Sequence, residues 1–411
     1  MLAEKLLPGL TNVASQPRYF SLLCGGAQLA GELSHPAPRE ERRLRLDCVL
    51  RLERFWAIAN VLATERTEAL STMGLRGVTR ATKVVDALAE RGAKKADAHF
   101  DILGRQQRYG AVGIYGAVAD GLRLWDRKTL GLTPDLGDRL GSAFLRDTVL
   151  PLSIRQAVLR DTPVAMQTLA DWGERAHLAA EVGEVEAACL ADAVHREPVR
   201  SRMLQTLAEY PALGGETELA RLARIAGALE LDAERRDLRE PIIAIGHYEA
   251  SYSRALLGFE RILYRCRSSP SGTVTPAELG MDEVIRSVRT ELPEHVAAFG
   301  AALDEAGAGW FRRDLGRLDD VRTFLEGAAA SAKPADLAEA LLSRHGEIQR
   351  GKLDHGRPKL PWVQRTGDAV ALTLARAGGI STEPIEPAQV IPHPYRVAAA
   401  DGFLRATGGA S

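Results

Sequence analysis

Aromatic residues are scarce in this chain, 5% of 411 positions, and runs of β-branched or alternating residues suited to strands are scarce too. That poverty argues against a β-sandwich or barrel and for a body of Ala- and Leu-rich helices. There are only four cysteines, Cys24, Cys48, Cys189 and Cys266, and none lies close to another. The spacing excludes a Cys-x-x-Cys metal or redox motif and supplies no disulfide framework, so a reducing cytoplasm is the expected setting. No apolar run approaches the length of a membrane span, and the first residues lack the layout of a signal peptide. Several nucleotide and hydrolase signatures are also missing: no Gly-x-x-x-x-Gly-Lys-Ser/Thr, no Gly-x-Ser-x-Gly and no His-Glu-x-x-His. No cofactor and no metal are therefore expected, and no reaction can be read from a motif.

What is present is 26% charged residues with a net charge of −1, unevenly placed. Residues 1–150 carry 22 Lys/Arg against 17 Asp/Glu, and 331–411 carry 10 against 8, whereas 151–330 carry 21 against 29. Such asymmetry lets an anionic partner meet the ends of the chain while the middle repels it. A chain of this length is expected to divide into two or three domains. Composition and punctuation suggest 1–150, an acidic helical domain over 151–268, and 277–411, with Ser268 to Pro276 as the linker.

The N-terminal third offers the most specific local pattern. A short helix is expected over 98–103, then a polar turn, then a helix over 109–122. Leu122 to Trp125 and Leu130 to Thr133 flank the charged tip Asp126-Arg127-Lys128, as two short strands flank a wing. Thr133-Pro134 restarts a helix with Leu136, Leu140 and Phe144 at four-residue spacing. The stretch LGLTPDLGDRL resembles the wing and following helix of bacterial winged-helix domains, placing such a module at about 80–147. The resemblance implies nucleic-acid contacts from Arg105, Arg108 and Tyr109 at the start of the second helix and from Arg127 and Lys128 at the tip. The helix itself, 109–118, is apolar and holds Gly110, Gly113 and Gly116, which suit close packing better than base reading.

Earlier still, Leu7-Pro8-Gly9 forms a turn, and Pro17 opens a helix carrying Arg18, Tyr19 and Phe20, with Arg18 expected to point outward. A Leu-Pro-Gly turn followed by Arg-Tyr-Phe resembles the opening of a group of poorly characterised bacterial proteins, some of them near defence and mobile-element genes. That resemblance implies a setting in genome maintenance or anti-phage defence and no activity.

In the acidic middle, helices are expected over 151–159, 162–169 and 174–193. His177, Glu181, Glu184 and His195 lie near one another in sequence, but helical di-metal sites draw ligands from several facing helices. A solvated charged face is the expectation. Pro241 is expected to open the long helix that runs to Arg267.

A second basic segment follows the helix that ends near Arg350. Arg344, His345, Arg350, Lys352, His355, Arg357 and Lys359 fall within sixteen positions, opposed only by Glu347 and Asp354. Trp362 to Arg365 and Ala369 to Thr373 flank Thr366-Gly367-Asp368 and predict a β-hairpin. The proline-rich tail, with Pro384, Pro387, Pro392 and Pro394, is expected to lie extended along the surface. The fold class is thus mainly α, with a winged-helix module and a small C-terminal helix-plus-hairpin unit. The leading function is a non-catalytic DNA-binding or protein-bridging subunit without membrane contact. Two alternatives stay open: a nuclease using His345 and His355 as base and acid beside Lys352, and a helical scaffold for protein partners.

Overall fold

The computed structural model describes residues 2–33, 38–104, 106–305, 315–354, 356–373, 383, 390 and 393–408. The protein is mainly helical, as the composition requires. It divides into two units: Ala3–Leu213 with Tyr395–Ser411, and Gly214–Pro394 with the first two residues. The division falls at none of the boundaries that composition suggests. The acidic stretch 151–268 is shared between the units, residues 151–213 falling in the first and 214–268 in the second.

The first unit opens with α1 (Leu2–Leu6) and the turn at Gly9, whose φ is +77°. Next comes α2 (Arg18–Ala30), in which every residue except Gln28 is buried. Its Gly25 and Gly26 permit this. A Cβ on Gly26 would lie 2.9 Å from the Val49 Cα, and one on Gly25 would lie 2.7 Å from Phe144. The helices that close on it are α3 (Pro38–Arg66), α6 (Ala111–Gly121) and α7 (Leu136–Asp147), with α4 (Val78–Glu90), β1 (Lys95–Ala96) and α5 (Gln106–Tyr109) in the connections. Then follow α8 (Leu152–Arg160), β2 (Val164–Ala165), α9 (Met166–Ala176), α10 (Glu184–His195) and α11 (Pro198–Glu209). Tyr19 stacks on Tyr115 at 4.5 Å and meets Trp56 edge-on at 5.0 Å. Each fully buried side chain of this kind contributes about 1.5–3 kcal/mol.

Several expected elements differ. No helix forms over 98–103, and the ribbon around the 126–128 tip is reduced to one antiparallel bridge between Trp125 and Leu132. The strand β1 pairs with β2 instead. Leu136, Leu140 and Phe144 are buried along α7, whose N-cap position is Asp135 rather than Thr133, although Thr133 Oγ1 accepts the Gly137 N–H at 3.0 Å. The helix expected over 174–193 is interrupted at 177–183. His177 is fully buried there, with Nδ1 accepting the Ala179 N–H and Nε2 3.1 Å from Thr64 Oγ1. It belongs to the core, not to a solvated face.

The second unit holds α12 (Glu218–Ala228) and α13 (Arg236–Ser268), which starts ahead of Pro241. Asp232 Oδ1 accepts the N–H groups of Glu234 and Arg235, so the charged run before Pro241 forms the helix start. The residues 268–276 are a connection inside this unit: β3 (Thr273–Val274) joins a sheet there and Thr275 caps α14 (Pro276–Gly280) in a capping box with Glu278. Asp282 then caps α15 (Glu283–Glu305) and binds Arg261 of α13 at 2.9 Å, tying the two long helices together. After α16 (Leu315–Ala329) and α17 (Pro334–Arg350), a small hairpin of β4 (Leu353–Asp354) and β5 (Arg357–Pro358) precedes a larger one of β6 (Val363–Thr366) and β7 (Ala369–Leu372). The larger hairpin matches its expected span, and β3 pairs with β7 to give the order β3-β7-β6.

The chain then returns to the first unit as α18 (Val397–Ala406), whose buried Phe403 stacks on Phe20 at 5.4 Å. Of the tail expected to lie extended, residues 393–395 form no helix or strand, with His393 and Pro394 exposed and Tyr395 buried. The residues 384–389, 391 and 392, which include Pro384, Pro387 and Pro392, lie outside the described set.

Candidate nucleic-acid interface

The sequence singles out two basic segments, and they fall in different units. In the first, the start of α6 is fixed from below by Glu53 of α3. Its buried carboxylate accepts the Ala111 N–H at 2.7 Å and the Gln106 side-chain amide at 2.8 Å. Burial pushes the Glu53 carboxyl up, and those two hydrogen bonds pull against the shift. The glycines of the helix are packing residues: a Cβ on Gly113 would lie 2.0 Å from the Arg108 carbonyl, and one on Gly116 2.8 Å from Trp125. Trp125 Nε1 donates to the Gly116 carbonyl at 2.8 Å, and Tyr115, Val118 and Ala119 are buried. A helix so placed presents little to a groove.

What remains exposed near it is Arg108, whose guanidinium lies 5.5 Å from the Tyr109 ring, and Tyr109 itself. Arg105 lies outside the described residues. At the tip, Asp126 Oδ1 accepts the N–H groups of Lys128 and Thr129, and Asp120 accepts that of Arg127 at 3.1 Å. These bonds hold the Asp126 carboxyl below its usual range. Arg127 and Lys128 are exposed, but the side chains of Asp120 and Asp126 shape the turn that carries them. The tip is locally close to neutral.

In the second segment the cations divide into two groups. Arg344 is engaged: it forms a double hydrogen bond to Asp320, the NH1 branch at 3.0 Å, reaches Glu347 at 3.6 Å and lies 5.3 Å from the Phe324 ring. Arg365 pairs with Glu339. By contrast Arg350, Lys352, Arg357 and Lys359 are exposed, and their side chains contact no carboxylate among the described residues. Three of them ride on the β4–β5 hairpin, closed by the Lys359 N–H on the Lys352 carbonyl at 2.8 Å.

His345 is not arranged as an acid or base. Its ring stacks on Phe259 at 4.5 Å, and its Nε2 accepts the Trp362 backbone N–H at 2.9 Å. Burial, with the charge of Lys352 acting the same way, pushes its pKa down to about 4. It is a neutral ring that anchors the β6 strand to α17. His355 lies outside the described residues.

Elsewhere the first unit buries Arg18, expected at the surface. It donates to the carbonyls of Arg175, Ala180 and Glu181, and its Nε lies 3.6 Å from the fully buried Glu186. The carbonyls at the end of α9 and in the turn after it give this guanidinium the partners that water would otherwise provide. Sequence offers no signal for this, because the partners are backbone atoms far along the chain. Among the described residues no group of three or more His, Cys, Asp or Glu side chains is placed to hold a metal. No helix of the described residues is long and apolar enough to cross a membrane. All four cysteines are free and buried. The chain matches no protein-family model, no curated protein and no solved structure.

Proposed function

We propose that the protein is a non-catalytic DNA-binding subunit whose main contact with the phosphate backbone is the exposed basic hairpin of the second unit. The observation that carries this reading is the contrast among neighbouring cations. Arg322, Arg344, Arg254 and Arg261 all hold carboxylates within the fold, whereas Arg350, Lys352, Arg357 and Lys359 contact none among the described side chains. Exposed cations gathered at the end of α17 and on the hairpin after it fit an external polyanion, whose affinity arises from counterion release.

The connection order of the second unit agrees with this use. Helix, strand, helix, helix and hairpin follow one another as α13, β3, α14, α15 and β6–β7, and the first strand adds to the second strand of the hairpin. That is the order of a winged helix, with α16, α17 and the basic hairpin inserted before its sheet is completed. A nuclease centred on His345 is disfavoured, since its Nε2 is already bonded to backbone and its ring is packed on Phe259.

The test is an electrophoretic shift of duplex DNA by the purified full-length protein and by a variant with all four residues changed to alanine. Loss of the shift in the variant alone is expected. Equal shifts would move the contact elsewhere, first to Arg127 and Lys128, and no shift by either protein would refute DNA binding.

A further inference from the structure

We infer that the first unit binds the phosphate group of a small phosphomonoester in the recess between the Pro8-Gly9 turn, the end of α6 and the junction of α10 with α11. The recess has a volume of about 400 Å³, and three arginines, Arg123, Arg196 and Arg200, line it against one carboxylate, Glu197. The basic hairpin belongs to the other unit, so this site stands or falls separately from the DNA-binding reading.

Arg200 is the inner cation. It is 3% exposed, and its guanidinium donates to the carbonyls of Val194 and Pro8, each at 2.6 Å, and of Ala193 at 3.1 Å. Those bonds fix the plane of the group, but they use three of its five N–H groups and supply no countercharge. No carboxylate of the described residues forms an ion pair with it. The two that act on it from farther away are already committed. Glu197 accepts the Arg200 backbone N–H at 2.7 Å, and Glu4 accepts the Gly9 N–H at 2.8 Å and pairs with Arg396. A Cβ on Gly9 would lie 3.2 Å from Arg200 Nη1, so this end of the guanidinium stands at the wall of the recess. A desolvated cation of this kind gains most from an anion that brings charge and acceptors together.

Arg123 supplies the second observation. It follows the end of α6 at φ +57°, a conformation that glycine adopts freely and arginine does not. Thr133 Oγ1 donates to its carbonyl at 2.7 Å and helps to hold the backbone there. The Arg123 side chain is exposed and contacts no carboxylate among the described residues. Backbone strain kept at a cation beside a recess points to a ligand. Arg196, also exposed, holds Asp135 at 2.9 Å. Arginines at the ends of α6 and α10 complement those helix ends as well. That role calls for neither a shared recess nor a left-handed Arg123.

The lining narrows the ligand. Three cations less Glu197 leave +2, which a phosphomonoester dianion matches. Guanidinium forks suit phosphate oxygens taken in pairs. Leu122, Ala193 and Pro198 give an apolar wall for a small organic body, and the volume lies at the lower end of the range for small-molecule sites, about 300–1,000 Å³. No aromatic residue lines the recess to stack a nucleobase. A duplex backbone, with sugars on both sides of every phosphate, cannot bring one to a guanidinium as recessed as that of Arg200.

The experiment is isothermal titration calorimetry of the full-length protein with glycerol 3-phosphate, inorganic phosphate and acetate at fixed ionic strength. Both phosphates are expected to bind with Kd on the order of 0.1 mM, and acetate on the order of tenfold more weakly. Lowering the pH from about 7.5 to about 5.5 should weaken the phosphates several-fold as the dianion takes up a proton. Arg123→Gly is expected to keep or raise the thermal midpoint, since glycine suits that backbone, and to weaken phosphate binding on the order of tenfold. Arg196→Ala should weaken it too, while the fourfold alanine variant of the basic hairpin should bind phosphate as the parent does. No phosphate binding at about 10 mM, or parental affinity in both Arg123→Gly and Arg196→Ala, would overturn the site. Loss of phosphate binding in the hairpin variant would overturn it as well. Equal affinity for acetate, or displacement of phosphate by duplex DNA, would overturn the assignment to a small phosphomonoester.

Discussion

The backbone N–H of Trp362 donates to Nε2 of His345 across 2.9 Å, so the imidazole proton sits on Nδ1 and the ring must stay neutral to keep the bond. The folded-state pKa of about 4 lies below the ordinary histidine value of 6.5. Between those two pH values the unfolded chain binds the extra proton and the folded one does not. The stability contributed by the neutral ring is therefore complete above about pH 6.5 and is lost as pH falls towards 4, by about 1–2 kcal/mol after allowance for partial exposure. Thermal melts at pH 7.0 and 4.5 should show a smaller acid loss in His345→Gln than in the parent protein. An identical acid loss in both would show that His345 is not the group responsible.

Glu53 supports α6 from below, each of its carboxylate oxygens accepting one hydrogen bond, and two substitutions remove one or both. Glu53→Ala leaves the Ala111 N–H and the Gln106 amide without their acceptor and is expected to cost about 2–4 kcal/mol, seen as a lower urea midpoint. Glu53→Gln keeps one acceptor oxygen but turns its NH2 towards the other donor, so at pH 7 it is expected to cost about 1–2 kcal/mol, less than Glu53→Ala. Equal destabilisation by both would mean that one acceptor alone gives α6 no support.

The close approach of α2 and α3 at Gly26 makes a packing prediction. Gly26→Ala places a methyl 2.9 Å from the Val49 Cα, a backbone atom that cannot turn aside. Despite the better helix propensity of alanine, the variant should lose about 1–3 kcal/mol. Gly227→Ala on α12, where nothing lies within 4 Å, should gain a few tenths to about 1 kcal/mol. A matched pair of denaturation curves reads both.

Much of the helical frame was legible in the sequence, because apolar spacing such as that at Leu136, Leu140 and Phe144 reports the buried face directly. The β6–β7 hairpin was legible from its Thr366-Gly367-Asp368 turn. The strands β1 to β5 were not, since two residues carry no period. Nor was α18: prolines precede it, and its burial depends on Phe20, nearly 400 residues earlier. The basic segment could be located but not sorted. Arg344 and Arg357 look alike in sequence, and only the fold shows that Asp320 reaches one of them. Arg18 misled for the converse reason, since its type suggests the surface while distant carbonyls pay its desolvation.

The central claim is that Arg350, Lys352, Arg357 and Lys359 neutralise DNA phosphates. Its most direct test is the salt dependence of duplex binding, measured by anisotropy from about 50 to 200 mM salt for the parent protein and the fourfold alanine variant. Each phosphate contact adds close to 0.9 to the slope of log affinity against log salt, so the variant's slope should be shallower by about 3.6. A variant that binds with the parent's slope, or a parent that binds no DNA at the lowest salt, would contradict the account.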